Sequence, residues 1–426
     1  MDIFVDIKEI MKKINDVGKE CYLVGGFVRD SLLMKENHDY DFCTNIPFNE
    51  LKKIFPDLVV MKENDHRNTA VIMRNNKEFE FTLFKGNDLY EDLFHRDFTI
   101  NSIAVDANGK IFDPFGGVND INKKILRNVN DNCFDEDPLR ILRCIRFASK
   151  YNFEINEKTV QLMLQKKHLL NCIAPERVYS ELQKILISPN VSYYFNKYRD
   201  IFFEIIPELK ECYNFNQHND YHIYDVYNHT LSVIENSPPN YYVKLAALFH
   251  DIGKPRSFTI DDKGIGHFYG HAKRSLEIFE KFSKKYKIDN KTHDIVADLI
   301  LFHEDELSIK NSKIFKFYKK YKMEYVELLF DLKLADIKGQ NPKYINRIEK
   351  IKELKNKYLE IRKNYNEINY SGSNLVQKGI TGKNIGMILE NIKFQIINNQ
   401  LKNNINDIDS YVNKFIEQQD DIKKHM

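Results

Sequence analysis

Leu23-Val24-Gly25-Gly26-Phe27-Val28-Arg29-Asp30 passes from a short apolar run, Cys21–Val24, through two glycines into a helical pattern, Phe27–Leu33. The reading is strand, tight turn, helix. Glycines carry no Cβ, so backbone amides there can approach a phosphate. The helix N-terminus adds its positive end, and Arg29, one turn in, offers a guanidinium fork suited to phosphate oxygens. A Gly-Gly turn kept only for tight packing explains the same residues equally well, so the neighbours have to decide. Asp39-Tyr40-Asp41 follows. On a strand, residues i and i+2 face the same side. Two carboxylates on one face beside a phosphate loop are what a pair of Mg²⁺ ions needs for an in-line displacement. Asp is depleted in strands, which weakens the alternative of a merely solvated face. Glu80, in Phe79-Glu80-Phe81-Thr82, is a third acid on a second strand and reads equally well as an exposed position.

Working outward, Thr69–Met73 and Glu78–Phe84 flank Asn75-Asn76, a hairpin signal. Ile100–Val105 and Lys110–Phe112 flank Asn108-Gly109, a second one. From about Pro138 the pattern turns helical, with Pro138–Lys150, Glu157–Lys166 and Pro175–Leu186, and is expected to stay all-helical to the end. The chain has 426 residues, too many for one small domain at roughly 100–200 residues each. Lys+Arg (64) nearly cancel Asp+Glu (62), so a globally basic nucleic-acid coat is excluded and any basic surface is local. No apolar run reaches the length of about 18 residues that a membrane helix needs. The opening MDIFVDIKEIMKKIND reads as an amphipathic helix, not a signal peptide. Six cysteines without a CxxC pair are expected to be reduced, in a cytoplasmic protein.

Asp135-Glu136-Asp137-Pro138-Leu139-Arg140-Ile141-Leu142-Arg143-Cys144-Ile145-Arg146-Phe147 sets three arginines at i, i+3 and i+6 on one helix flank, with Pro138 placed for a helix start. Taken alone, this is a basic amphipathic helix. In order with the earlier motifs it resembles the nucleotidyltransferase superfamily, in its tRNA nucleotidyltransferase (CCA-adding) and bacterial poly(A) polymerase branch. Arg96-Asp97-Phe98-Thr99 matches that family's Arg-Arg-Asp-Phe-Thr, with His95 as a departure. Asp113-Pro114-Phe115-Gly116-Gly117 matches its flexible element, and Ala174–Leu182 its last head-and-neck motif. The resemblance implies that Asp39 and Asp41 are catalytic and hold Mg²⁺. It implies that Gly25, Gly26 and Arg29 hold triphosphate, and that Arg96 and Asp97 contact the ribose. Asp137 and Arg140 then read the base, with Arg143 and Arg146 on the nucleotide and its triphosphate. Cytosine and adenine both present an exocyclic amino donor beside a ring-nitrogen acceptor, which a carboxylate and a guanidinium can satisfy. Glu176, Arg177 and Glu181 are read as structural partners.

Downstream, Leu248-Phe249-His250-Asp251-Ile252-Gly253-Lys254 resembles the HD phosphohydrolase superfamily. Its ligand order implies His229, His250, Asp251 and Asp336, with His271 and His303 as extra ligands, for one or two ions of Mn, Ni, Fe or Mg. A decayed HD fold that only helps grip RNA remains the competing reading. Residues 343–363 hold eight Lys/Arg against three Glu, a local excess able to track tRNA phosphates.

The expected architecture is α+β: a small nucleotidyltransferase β-sheet head (1–135), an all-α neck for base and RNA (136–220), a helical HD domain (221–340) and a helical, tRNA-binding tail (341–426). The expected partners are tRNA, CTP and ATP, with no membrane. Addition of CCA to the tRNA 3′ end leads. A poly(A) polymerase, a partial CC- or A-adding enzyme, an HD phosphohydrolase with a nucleotide-binding head, and a non-catalytic tRNA-binding protein stay open.

Overall fold

The computed structural model describes residues 3–62, 68–320 and 325–424 and separates into two compact units, Met1–Pro207 and Glu208–Met426. The first is built on strands β1 (Cys21–Val24), β2 (Tyr40–Thr44), β3 (Val59–Lys62), β4 (Asn68–Arg74), β5 (Lys77–Leu83), β6 (Ala104–Val105) and β7 (Ile111–Phe112). They form a seven-stranded sheet in the order β3-β4-β5-β2-β1-β6-β7. β2 and β5 run parallel; the other neighbours are antiparallel. Asn75 and Asn76 adopt φ of 51° and 59°, the left-handed backbone that a two-residue hairpin turn requires.

Alternation along β2 and β5 sorts their side chains by face. Tyr40, Phe42, Phe79 and Phe81 are buried. Their rings interlock across the parallel pair, with centroids 5.2 Å apart for Tyr40–Phe79 and 5.1 Å for Phe42–Phe81. The opposite face carries Asp41 and Glu80, which are register partners.

The expected strand Ile100–Val105 is shorter than its sequence suggests. Only Ala104–Val105 pairs, and Thr99–Asn101 forms a single 3-10 turn. Local polar bonds divert the backbone: the Asp97 carboxylate accepts from Phe98 N–H at 2.9 Å and from Asn101 Nδ2 at 2.8 Å, and the Ser102 hydroxyl donates to the Phe98 carbonyl.

Helices Arg140–Tyr151, Glu157–Lys166 and Pro175–Leu186 follow the periodicity. The expectation of an all-helical remainder needs correction at two places. Asn152, at φ 56°, ends the Arg140–Tyr151 helix with a left-handed residue. The chain then runs extended, so β9 (Glu154–Ile155) pairs with β8 (Ile125–Leu126). In the second unit, β10 (Thr259–Ile260) and β11 (Gly266–His267) make a small hairpin turned at Asp261 and Gly264. Helices Val226–Asn236, Tyr241–Phe249, His271–Tyr286, Asn290–Phe302 and Val326–Gly339 pack together there, and Arg347–Asn366 lies along Val326–Gly339. All six cysteines are free thiols. Among the described residues no helix is long and apolar enough to cross a membrane.

Candidate functional site

The ladder dictates how the head site assembles. Val24, last residue of β1, pairs with Asp41 on β2, and Asp41 pairs with Glu80 on β5. The turn that leaves β1 therefore lies beside two carboxylates. Gly25 has φ 72°, and a Cβ there would come within 3.0 Å of Asp41 Oδ2. Only glycine fits both the backbone and the space. Gly25 and Gly26 open the helix Gly25–Leu32, with no side-chain cap on its first amides. Asp39 sits just before β2, its backbone amide donating to Asn37 Oδ1.

These groups share one cavity of about 700 Å³. Gly25, Gly26, Arg29, Asp39, Asp41, Glu80, Arg96, Asp97, Asp137, Arg140, Arg143 and Arg146 all line it, so the residues expected to hold metal or nucleotide in the head converge on one place. Asp39 and Asp41 open on the same side of their segment. Burial pushes the Asp41 carboxyl up to about 6, aided by Glu80 and Asp39 and opposed by the positive Arg96. Three carboxylates crowded into a partly buried wall repel one another, and a divalent cation is the charge that relieves them. The donor set therefore fits a hard metal ion.

The guanidinium groups are held in acid pairs. Arg29 is buried; its Nε and one terminal nitrogen bond Asp30 and the other terminal nitrogen bonds Asn101 Oδ1 at 2.7 Å. Three of the five Arg29 N–H groups are thus engaged by Asp30 and Asn101, and the side chain still lines the cavity. Arg96 bonds Asp92, Arg143 bonds Asp97 at 2.6 Å, and Arg146 bonds Glu181 at 2.7 Å. Burial acts to raise the Asp97 carboxyl, but Arg143, the Asn101 amide and the charge of Arg140 overcome it and hold it at about 2.

The backbone amide of Arg140 donates to the Asp137 carbonyl at 3.0 Å, but their side chains have separate partners. Arg140 donates to the carbonyls of Cys133 and His95 and to Glu136 Oε2 at 3.1 Å, while Glu136 Oε1 meets His95 Nδ1 at 3.1 Å. Asp137 Oδ2 accepts from Arg177 at 2.9 Å. Arg177 and Glu136 are therefore the residues the sequence reading undervalued. Arg177, read as structural, lines the cavity and orients a carboxylate. Its signal was faint, since nothing in the local pattern links position 177 to position 137.

The second unit holds a separate cluster. The helix Tyr241–Phe249 ends at His250-Asp251, and the following turn is pressed against the start of His271–Tyr286. A Cβ on Gly253 would come within 2.5 Å of the Ser275 nitrogen and 2.7 Å of the His271 carbonyl, so this position admits no side chain. That close approach delivers His271 to Asp251. His229 Nε2 lies 3.3 Å from Asp251 Oδ2 and 3.1 Å from Asp336 Oδ1. His250 Nε2 is 3.3 Å from Asp251 Oδ2. On the other oxygen, His271 Nε2 stands at 3.0 Å and His303 Nε2 at 3.6 Å. All six expected residues meet, and Asp251 joins two triads, His229-His250-Asp251 and Asp251-His271-His303.

The Nδ1 contacts indicate which tautomer the neutral imidazoles adopt. Each of the four Nδ1 atoms faces a backbone carbonyl, those of Gly339, Ala247, Phe268 and Ile300. A carbonyl only accepts, so Nδ1 carries the proton, and on a neutral imidazole Nε2 turns a lone pair inward; without a cation, burial is overcome by Asp251 and Asp336, which push His229 up to about 9. Lone pairs then face carboxylate oxygens. Among the described residues His229 Nε2, His250 Nε2 and Asp336 Oδ1 are buried without a hydrogen-bond partner. A divalent cation satisfies all of them.

Comparison with known proteins finds matching domains around both clusters. Residues 21–127 match the poly A polymerase head domain, 152–212 the probable RNA- and SrmB-binding site of polymerase A, and 220–338 the HD domain. CCA-adding enzymes of Streptococcus pyogenes serotypes M3 and M5 are 29% identical over 95% of this chain and 95% of their own. This chain thus carries, in order, matches to a poly A polymerase head, an RNA-binding segment and an HD domain, and is similar over nearly its whole length to CCA-adding enzymes. Its fold is shared by the Bacillus stearothermophilus CCA-adding enzyme in complex with CTP, at TM-score 0.66 and 23% identity over 99% of both chains. It is also shared by the Thermotoga maritima CCA-adding enzyme complexed with tRNA, at TM-score 0.63 and 21% identity over 97% of this chain and 95% of that one.

The basic run of the tail is partly paired with acids. Within residues 343–363, Lys343 pairs with Asp220, Lys352 with Glu349, Lys355 with Asp331, Lys357 with Glu360 and Arg362 with Glu327. Five of its eight cations are thus matched by acids, pairs that solvent-accessible side chains can exchange for other partners.

Proposed function

We propose that this nucleotidyltransferase adds C, C and A to the 3′ end of tRNA from CTP and ATP, releasing pyrophosphate, in the cytoplasm. The observation that carries the proposal is the single head cavity, where the acid pair, the glycine turn and the arginine helix meet. In each addition the terminal 3′-hydroxyl loses its proton as its oxygen bonds the α-phosphorus, and the bond to pyrophosphate breaks. Asp39 and Asp41 would hold divalent cations, here Mg²⁺, whose chemistry when bound is to lower the hydroxyl's proton affinity and offset charge on the leaving group. The remaining work falls to the chain's own groups. The amides of Gly25 and Gly26 and the arginine flank orient the triphosphate. Arg29 fixes the glycine helix through Asp30 and Asn101. Arg96 and Asp97 adjoin the ribose. Asp137, oriented by Arg177, accepts from the exocyclic amino group, and Arg140, held by Glu136 and two carbonyls, donates to the ring acceptor. The division into head, neck, HD domain and tail at 135, 220 and 340 belongs to the same proposal.

The test is a trimmed tRNA lacking its last three nucleotides, incubated with the protein and Mg²⁺. CTP alone is expected to extend it by two nucleotides and CTP with ATP by three, with UTP and GTP inert. A long adenylate tail, or tRNA retained with no pyrophosphate released, overturns the proposal.

A second reading rests on the inward-facing imidazoles of the second unit. His229, His250, Asp251, His271, His303 and Asp336 would hold one or two divalent ions of the Mn, Ni, Fe or Mg type, whose chemistry when bound is activation of water toward a phosphoester.

A further inference from the structure

A cavity of about 400 Å³, within the range of small-ligand sites, opens onto the Asp251 cluster. Its wall includes Arg347, Lys350, Ile351 and Leu354. Their spacing of i, i+3, i+4 and i+7 is one face of the Arg347–Asn366 helix. Five of the eight cations in the basic run are paired with acids; two of the other three, Arg347 and Lys350, are the ones on this wall. Lys350 has no ion-pair partner among the described residues. Arg347 gives one N–H to Gln340 Oε1 at 3.0 Å, and Gln340 Nε2 donates to Asp336 Oδ2 at 3.2 Å, a chain of two bonds from the tail helix to the cluster. The other two cations lining the cavity are already engaged. Lys254 Nζ lies 2.7 Å from Asp251 Oδ2 and 2.8 Å from Gln217 Oε1, and Lys333 donates to the carbonyls of His303 and Asp305. Glu304, Asp305 and Glu306 also line the cavity, so attraction of anions is confined to the Arg347–Lys350 wall.

We propose that the tail helix completes the HD cavity, Arg347 and Lys350 capturing the phosphate group of an anionic phosphoester against the Asp251 cluster. This rests on the reading of that cluster as a metal centre. A guanidinium with N–H groups to spare beside an unpaired ammonium is a phosphate clamp, and both residues are exposed on the helix, so their removal leaves the core intact.

The test uses the full chain in an Asp41→Asn background, which removes the head metal site. Mn²⁺ stoichiometry and inorganic phosphate affinity are measured by calorimetry. Arg347→Ala with Lys350→Ala is expected to keep the Mn²⁺ stoichiometry and weaken phosphate binding at least tenfold. Lys352→Ala, on the same helix but paired with Glu349, is expected to stay within twofold. Unchanged phosphate affinity in the double variant, or equal weakening by Lys352→Ala, overturns the clamp alone. Should Asp251→Asn leave the Mn²⁺ stoichiometry untouched, the metal centre falls and the clamp with it.

Discussion

Asp41→Asn is expected to lower CTP and ATP incorporation at least a thousandfold while leaving the protein folded. The substitution keeps the shape and removes the charge that would hold a divalent cation, whose chemistry when bound is to stabilise charge in the transfer. Losing that electrostatic stabilisation costs about 4 kcal/mol or more, and each 1.4 kcal/mol is about tenfold in rate. Stability moves the other way. The folded Asp41 carboxyl titrates near 6, above its ordinary 3.8, because burial and then Glu80 disfavour its charge. An acid with a raised folded value destabilises the metal-free fold above that value and costs nothing below 3.8. The Asn variant, measured metal-free at pH 7.5, is therefore expected to melt at or above the wild-type temperature. The same titration gives a pH signature in the wild type. Protons compete with the cation below about pH 6, so apparent Mg²⁺ affinity falls roughly tenfold per pH unit there. Near-normal incorporation by Asp41→Asn, or Mg²⁺ affinity flat between pH 5 and 7, removes this residue from the metal site.

Asp137→Asn is expected to change which base is accepted. The carboxylate offers only acceptors to a base edge. Cytosine and adenine answer with an amino donor; uracil presents a carbonyl oxygen, which a carboxylate repels. An amide at 137 can turn its NH₂ toward that oxygen. Loss of one charge-assisted bond is worth about 1.5–3 kcal/mol, so CTP incorporation is expected to drop roughly 10- to 150-fold. The CTP-over-UTP preference is expected to shrink by a comparable factor. Arg177→Ala, which leaves Asp137 held only by the Leu139 amide on Oδ1, is expected to lower both CTP and ATP use without admitting UTP, since the acceptor remains. Equal loss for all four nucleotides in Asp137→Asn assigns the residue to structure and not to base selection. Arg140 is the poorer probe: truncating it strands the His95 and Cys133 carbonyls and confounds reading with folding.

The sequence disclosed those parts of the site that local periodicity encodes. Alternation about Asp39 and Asp41 was legible because their neighbour Tyr40 is apolar and buried, and the Asn75-Asn76 turn because two adjacent residues tolerate left-handed backbone. The Arg140, Arg143 and Arg146 flank was legible from helical spacing alone. What escaped depends on partners distant in the chain. Arg29 looked free until folding set Asn101 against it, 72 positions away. Arg177 looked structural until it met Asp137 across 40 positions. The β10–β11 hairpin escaped because each strand is two residues long, too short for any period. The six residues around Asp251 were legible as a ligand order, but the carbonyls that set their tautomers were not, since backbone groups leave no mark on composition. The pairing of the basic run was hidden for the same reason: Asp220, Glu327 and Asp331, which pair with three of its cations, lie outside it.

The central claim is that one acidic pair and one acid–guanidinium set act on the same nucleotide. A crystal structure of the protein soaked with Mn²⁺ and a non-hydrolysable CTP analogue, phased on the manganese signal, addresses it without mutation. Manganese bound by Asp39 and Asp41, with the cytosine amino group on Asp137 and its ring acceptor on Arg140, is the predicted result. Manganese absent from that pair, or a cytosine that lies away from the Arg140–Tyr151 helix while its phosphates occupy the glycine turn, contradicts the account.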